Sequence, residues 1–265
     1  VAIYRRGKNL VRNTKTFPTT NQPYHAFDIP SAKTPTPCDQ RNSTALGTVL
    51  RAIGGRKLNS HTVSVRVVGD YACFTRPESK TERASYPVAT PSAARGILEA
   101  IYWHPQFTWA IREIHVLAPV QTFSLVRNEV NSRMSLSRSD PYFADEDRTQ
   151  RHAICLKQVD YVIHAEPVVK PGQPDKPQKF REIFARRVER GQCFHRPALG
   201  TREFAAEFLP AENAPPPQPW SEDLGLMLWD LDYSTGKPPY WPRFFHASIK
   251  SGVLVVPPEP IGAAR

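Results

Sequence analysis

Between His61 and Thr75 the side chains alternate. Val63, Val65 and Val67 are apolar, and Thr62, Ser64 and Arg66 between them are polar. This period of two predicts a strand over 61–75. From Thr90 the period changes. Ala94, Ile97, Leu98 and Ile101 recur every three or four residues, which predicts a helix with one apolar face over 90–105. Thr90 suits the N-cap and Pro91 the first helical position, while Pro105 turns the residue before it away from helix. Tyr102 falls on the border of the two faces, where a ring packs while its hydroxyl reaches the outside, and Trp103 is read as packing. Runs at 107–130 and 151–169 read as strands, and the polar stretch 131–150 between them as a long loop. Helical spacing returns over 179–192, with Phe180, Ile183, Phe184 and Val188 as the buried stripe and Arg181, Arg186, Arg187 and Arg190 as a basic flank. Residues 201–210 read as a strand, 214–220 as a Pro-rich connector, and 224–233 and 244–258 as further strands.

The order is β, α, β, β, then β, α, β, then more strands. It predicts an α+β fold: a ferredoxin-like (RRM-like) split βαβ domain over 61–213, followed by a small β-sheet domain over 214–265. Residues 1–60 are rich in Pro, Thr, Ser and Asn and read as an irregular extension, with one short helix at 46–57. The first methionine is Met134, so one expectation is a natural start at a non-Met codon near residue 60. An intact mass matching all 265 residues would dismiss it.

Charge narrows the partner. Lys and Arg number 35 against 25 Asp and Glu, a formal net charge of +10. That surplus favours a polyanion: RNA, DNA or an anionic membrane surface. No stretch approaches the roughly 18 apolar residues of a membrane span, and residues 1–13 hold no apolar signal core, so a cytoplasmic protein is expected. Cys38, Cys73, Cys155 and Cys193 form no CxxC, which argues against a zinc site. Cys73 and Cys155 sit in apolar runs and are expected to be reduced core residues.

RNA cleavage without metal requires the 2′-OH aligned with phosphorus, a cation for the phosphorane, and groups that give or take protons. Tyr, Lys, Arg and His meet these needs, although Tyr and Lys, with ordinary pKa values near 10, act better as donor and cation than as base. The acidic knot at 145–148 reads as a solvated loop, and no metal or other cofactor is expected.

Five ordered blocks carry a resemblance: GDYACFTRPE (69–78), SYPVATPSAARGILEAIYWHP (85–105), RNE (127–129), RGQCFHRPALGTREF (190–204) and DLGLMLWDLDY (223–233). Together, over residues 61–257, they resemble the Dvulg-type, subtype I-C members of the fifth CRISPR-associated protein family, in the RAMP superfamily. The resemblance implies a metal-independent endoribonuclease that cuts the CRISPR repeat hairpin at its 3′ base. It also implies retention on the 5′ handle of the guide RNA, beside the other subunits of the interference complex.

It further implies an active site made of a helix-end Tyr and a Lys-His pair opening the later helix. The Tyr falls on Tyr102 and the Lys on Lys179, but the His falls on Phe180, which neither gives nor takes a proton. Three readings stay open. Cleavage is slow and relies on Tyr102 and Lys179; His104 or His195 substitutes for the missing imidazole; or the protein binds RNA without cutting it. A nuclease with broader RNA and DNA activity and a purely structural subunit are the remaining alternatives. Arg76, Lys80, Arg83, Arg181, Arg186, Arg187 and Arg190 are the candidate phosphate contacts.

Overall fold

The computed structural model describes residues 61–262, apart from 133, 134, 136, 138–142 and 239. The expected irregular extension, the helix at 46–57 and Cys38 lie outside the described residues. Strand β1 spans Val63–Ala72 and β2 Arg83–Ala84; helix α1 spans Pro91–Ile101; strands β3, β4 and β5 span Phe107–Val116, Thr122–Val130 and Arg148–Val169. Helix α2 spans Pro177–Glu189, and β6 to β9 span Glu207–Pro210, Glu222–Asp232, Trp241–Lys250 and Val253–Val255.

These strands form one sheet of order β6-β1-β5-β3-β9-β8-β7, with β2 and β4 also paired to β5. Apart from the parallel β2–β5 pair, the ladders are antiparallel. The fold is α+β. The 22-residue β5 holds the centre, because β1, β2, β3 and β4 all pair with it. The C-terminal strands continue the sheet, since β9 bonds to β3 on one side and β8 on the other.

The alternation in β1 sends Val63, Val65 and Val67 into the core, where they meet Ile97 and Leu98 of α1 and Phe180 and Phe184 of α2. The same core runs on to Met227, Phe245 and Leu254 of the C-terminal strands. Burying each such side chain contributes about 1.5–3 kcal/mol. Thr90 caps α1 by accepting from the Ala93 N–H, with Pro91 at the first position.

Several boundaries differ from expectation. Helix α1 stops at Ile101, four residues before Pro105, because Tyr102 is already extended (φ −150°, ψ 118°). In extended chain successive side chains point oppositely. Tyr102 therefore turns inward, 7% exposed, and Trp103, expected to pack, turns out at 59%. Trp109 does the packing instead and donates from Nε1 to the Tyr102 carbonyl at 2.9 Å. The strand expected at 201–210 is confined to Glu207–Pro210; before it, Phe204 N–H closes a turn on Thr201 O and Leu199 N–H bonds to Phe204 O. Helix α2 begins at Pro177, two residues earlier than the spacing suggested, and ends at Glu189. The polar stretch 131–150 gives up 148–150 to β5, and Asp147 accepts from the Ser132 N–H in the turn. Cys73 and Cys155 are buried free thiols. Burial and the neighbouring Cys73 push Cys155 up to about 12.

Strand alternation puts Ser64 on the face opposite Val63 and Val65, directly across from His164. Ser64 Oγ is 2.7 Å from His164 Nδ1, and the rings of His164 and His115 are 4.3 Å apart. His115 Nε2 lies 3.0 Å from Glu113. Burial, helped by the charge of His115 and opposed by Glu113, pushes His164 down to about 4. The unfolded chain, with an ordinary imidazole near 6.5, takes up the proton first as pH falls. The stabilisation is thus intact above pH ~6.5 and lost on descending towards pH ~4, by about 3 kcal/mol in all. Urea midpoints between pH 7 and 4.5 are expected to fall more steeply in the parent than in His164→Gln. Equal slopes would refute this.

Candidate active site

The C-terminus of α1 and helix α2, from Phe180 in its first turn to Arg187 in its last, meet around Tyr102. Its ring lies 5.7 Å from Phe107 and 6.5 Å from Phe180, and Phe107 and Phe180 are 4.5 Å apart. The Arg187 guanidinium sits over the Tyr102 ring at 4.8 Å and donates to the Ile101 carbonyl at 2.7 Å. One arginine thus holds the ring by cation–π attraction and satisfies an orphan carbonyl at the end of α1.

Burial raises the Tyr102 hydroxyl above its ordinary pKa. The positive charges of Arg187, Lys179 and Arg186 pull the other way, and Asp175 adds to the rise. At neutral pH the group is a phenol, a donor rather than a base. Arg187 stacks on the phenol ring, and Lys179 and Arg186 on the same helix are near enough for their charges to act on its hydroxyl. Lys179 is exposed and pairs with Asp175 at 2.9 Å, four residues earlier. That i,i+4 pairing is the signal that would have found Asp175 in the sequence.

Phe180 is 1% exposed and belongs to the core, so the helix turns its ring inward while Lys179 beside it stays in solvent. The His104 ring is 5.8 Å from Phe180. The Gln106 N–H reaches His104 Nδ1 at 3.4 Å. Tyr102, His104, Lys179, Arg186 and Arg187 thus share one neighbourhood. Arg190 caps the C-terminus of α2 through its backbone and is exposed, and Arg181 lies 3.2 Å from His61.

The other candidates sit elsewhere. His195 is exposed, in a loop whose Phe194 and His195 N–H groups both reach Ala100 O, at 2.8 and 3.3 Å. It lines a cavity of about 750 Å³ together with Arg196 and Arg202. Arg76 stacks on Tyr86 at 4.6 Å and lies 3.7 Å from Glu78. Arg83 sits between Glu129 and Glu203, which Arg127 also engages. Both arginines are therefore tied into the protein's own ion pairs, a use that sequence spacing does not reveal. Lys80 is exposed in the turn between them. The neighbourhood of Tyr102 offers a hydroxyl donor, an imidazole and the cations of Lys179, Arg186 and Arg187. Among the described residues no group of three or more His, Cys, Asp or Glu is arranged to hold a metal, and no helix is long and apolar enough to cross a membrane.

Comparison with known proteins adds the family. The model of the family described as CRISPR-associated protein (Cas_Cas5) matches residues 62–257. A Thermus thermophilus protein named CRISPR pre-crRNA endoribonuclease Cas5d is 45% identical over 213 residues, 74% of this chain and 92% of that protein. Its namesake from Mannheimia succiniciproducens is 44% identical over 219 residues, 75% of this chain and 96% of that one. A solved structure titled as a CRISPR-associated protein superposes with TM-score 0.54 at 26% identity, covering 73% of this chain and 90% of its own. Another, of a functionally uncharacterized protein from Streptococcus mutans, has TM-score 0.55 at 23% identity, covering 74% and 92%, and shows likeness of fold alone. The sequence blocks, the sheet and the extent of these matches lead to one assignment: the chain belongs to the CRISPR-associated Cas5 family.

Proposed function

We propose that this protein is an endoribonuclease that cuts CRISPR repeat RNA at the 3′ base of its hairpin. The observation that carries the proposal is identity of 44–45% over nearly the full length of two relatives named pre-crRNA endoribonucleases. The reaction is attack of the 2′-OH on the adjacent phosphorus with loss of the 5′ oxygen. Tyr102 donates a hydrogen bond that aligns the reacting group. Lys179 and Arg186 offset charge on the phosphorane, and His104 moves the proton. These groups are a phenol, an amine, a guanidinium and an imidazole, and the step as written needs no metal. The protein works in the cytoplasm, stays on the 5′ handle of the guide RNA, and joins the other subunits of the interference complex. The order β6-β1-β5-β3, with α1 and α2 as crossovers, favours a ferredoxin-like reading of residues 61–213, with 214–265 as the β-rich second part.

A non-cleaving handle clamp is the second reading, favoured by Phe180, which fills the place of the family's imidazole. One assay separates the two. The repeat hairpin is incubated with the protein in EDTA, beside a copy carrying 2′-deoxy at the scissile nucleotide. A single cut in the first and none in the second is the expected result. Tight binding with no cut in either would leave the clamp, and a cut in the deoxy strand would overturn the 2′-OH route.

A further inference from the structure

Taking Tyr102 as the hydrogen-bond donor of the reaction above, we propose that Arg187 is a positioning residue for cleavage. It sets where the Tyr102 hydroxyl points, and its work is on that side chain rather than on phosphate. In the sequence Arg187 stands with Arg186 and Arg190 as one basic flank, but the helix separates them. Arg187 lies three residues after Phe184 and seven after Phe180, on the side of α2 that carries the buried stripe. It is half-buried, while Arg186 and Arg190 are exposed.

A side chain takes its direction first from the two peptide planes that flank its Cα. Around Tyr102 both planes are held. In the first, the Tyr102 N–H donates to Leu98 O at 2.8 Å, and the Ile101 carbonyl accepts from Arg187 at 2.7 Å. In the second, the Tyr102 carbonyl accepts from Trp109 Nε1 at 2.9 Å. Rotation of the ring is what remains. Phe107 and Phe180 stand tilted to it, at 39° and 37°, and the Arg187 guanidinium covers a face, 4.8 Å from the centre. The phenyl rings limit the space, and the cation adds attraction to the ring face. Helix α1 has no basic residue in its own last turn, so the charge that a helix C-terminus favours comes from α2. One guanidinium thus acts on both the backbone and the ring of Tyr102. A lysine ammonium can satisfy the carbonyl or sit over the ring, but it lacks the planar fork that does both.

The test is a double-mutant cycle on the full chain. Single-turnover cleavage of the repeat hairpin is read at saturating protein, and the Kd of the uncut 2′-deoxy hairpin is read across a salt series. Arg187→Met is expected to lower the rate constant by roughly tenfold or more, since misplacing a reacting group by about 1 Å can cost about a hundredfold. Its Kd should stay within about twofold of the parent, because the loss falls on the chemical step alone. In a Tyr102→Phe background the same substitution should change the rate by less than about twofold, because no hydroxyl is left to aim. Arg187→Lys should recover part of the rate and not all of it. An equal loss in both backgrounds would assign Arg187 to the fold or to the substrate and overturn the proposal. So would a weaker Kd with the slope of log K against log salt lowered by about 0.7–0.9, the mark of one lost phosphate contact. If Arg187→Met does not fold, Arg187→Lys carries the cycle, and the full parental rate in that variant overturns the role. A hairpin left uncut by the parent ends the endoribonuclease reading, and the positioning role with it.

Discussion

Tyr102→Phe is expected to lower the single-turnover cleavage rate by roughly a hundredfold, the usual cost of removing one hydrogen-bond donor aimed at developing charge. The fold should survive, because the substitution keeps the ring that packs on Phe107 and Phe180 and lies under Arg187. A Tm within about 2 °C of the parent checks that point. The role also predicts a pH profile. Burial holds the hydroxyl protonated above its ordinary range, so a donor works equally well across neutral pH. A Tyr acting as base would instead give a rate rising tenfold per pH unit. A variant cutting at the parent's rate, or a parent with that rising profile, would end the assignment. His104→Ala supplies the companion measurement, since His104 approaches Phe180 to 5.8 Å and is the imidazole brought to this neighbourhood.

Gly200→Ala is expected to have the largest effect on stability. Gly200 has φ +88°, a backbone conformation L-residues rarely adopt, and a Cβ would stand 2.0 Å from Cys73 O and 2.7 Å from its carbonyl carbon. Both contacts are backbone, so no side chain can swing away. Either the 198–204 turn lifts off β1, breaking the Cys73–Leu199 hydrogen bond, or β1 distorts. The cost should be about 4 kcal/mol, a fall in Tm of about 8–16 °C. Thermal melts of Gly200→Ala beside the parent make the comparison direct. A Gly200→Ala protein melting with the parent would show that the close approach is not part of the native packing.

Much of this was legible in the chain because the periods are strong. Alternating valines placed β1, and the run of Ala94, Ile97, Leu98 and Ile101 placed α1 with its cap. The sheet order was not legible. Pairing of β9 with β3, or of β6 with β1, depends on contacts far apart in sequence that no local period records. The two-residue β2 is too short to show any period. In the candidate site, spacing suggested Tyr102, and the family blocks gave it its role along with Lys179. Spacing also misjudged Trp103. A helical projection assumes the helix continues, and here the chain becomes extended one residue before that tryptophan. Arg76, Arg83 and Arg187 were legible as charge but not as partners. What each arginine does depends on Tyr86, Glu129 and Tyr102, which only the fold brings near.

The position of β5 has a consequence for synthesis. Strand β1 leaves the ribosome some 80 residues before its partner, and β3 also pairs with β5. A nascent chain ending before Val169 therefore carries unpaired strand edges and an apolar face without its cover. Folding waits for β5 and then proceeds through long-range pairings, which are slow to form. The emerging protein is thus exposed to chaperones and proteases for most of its translation, and native structure is gained late and together.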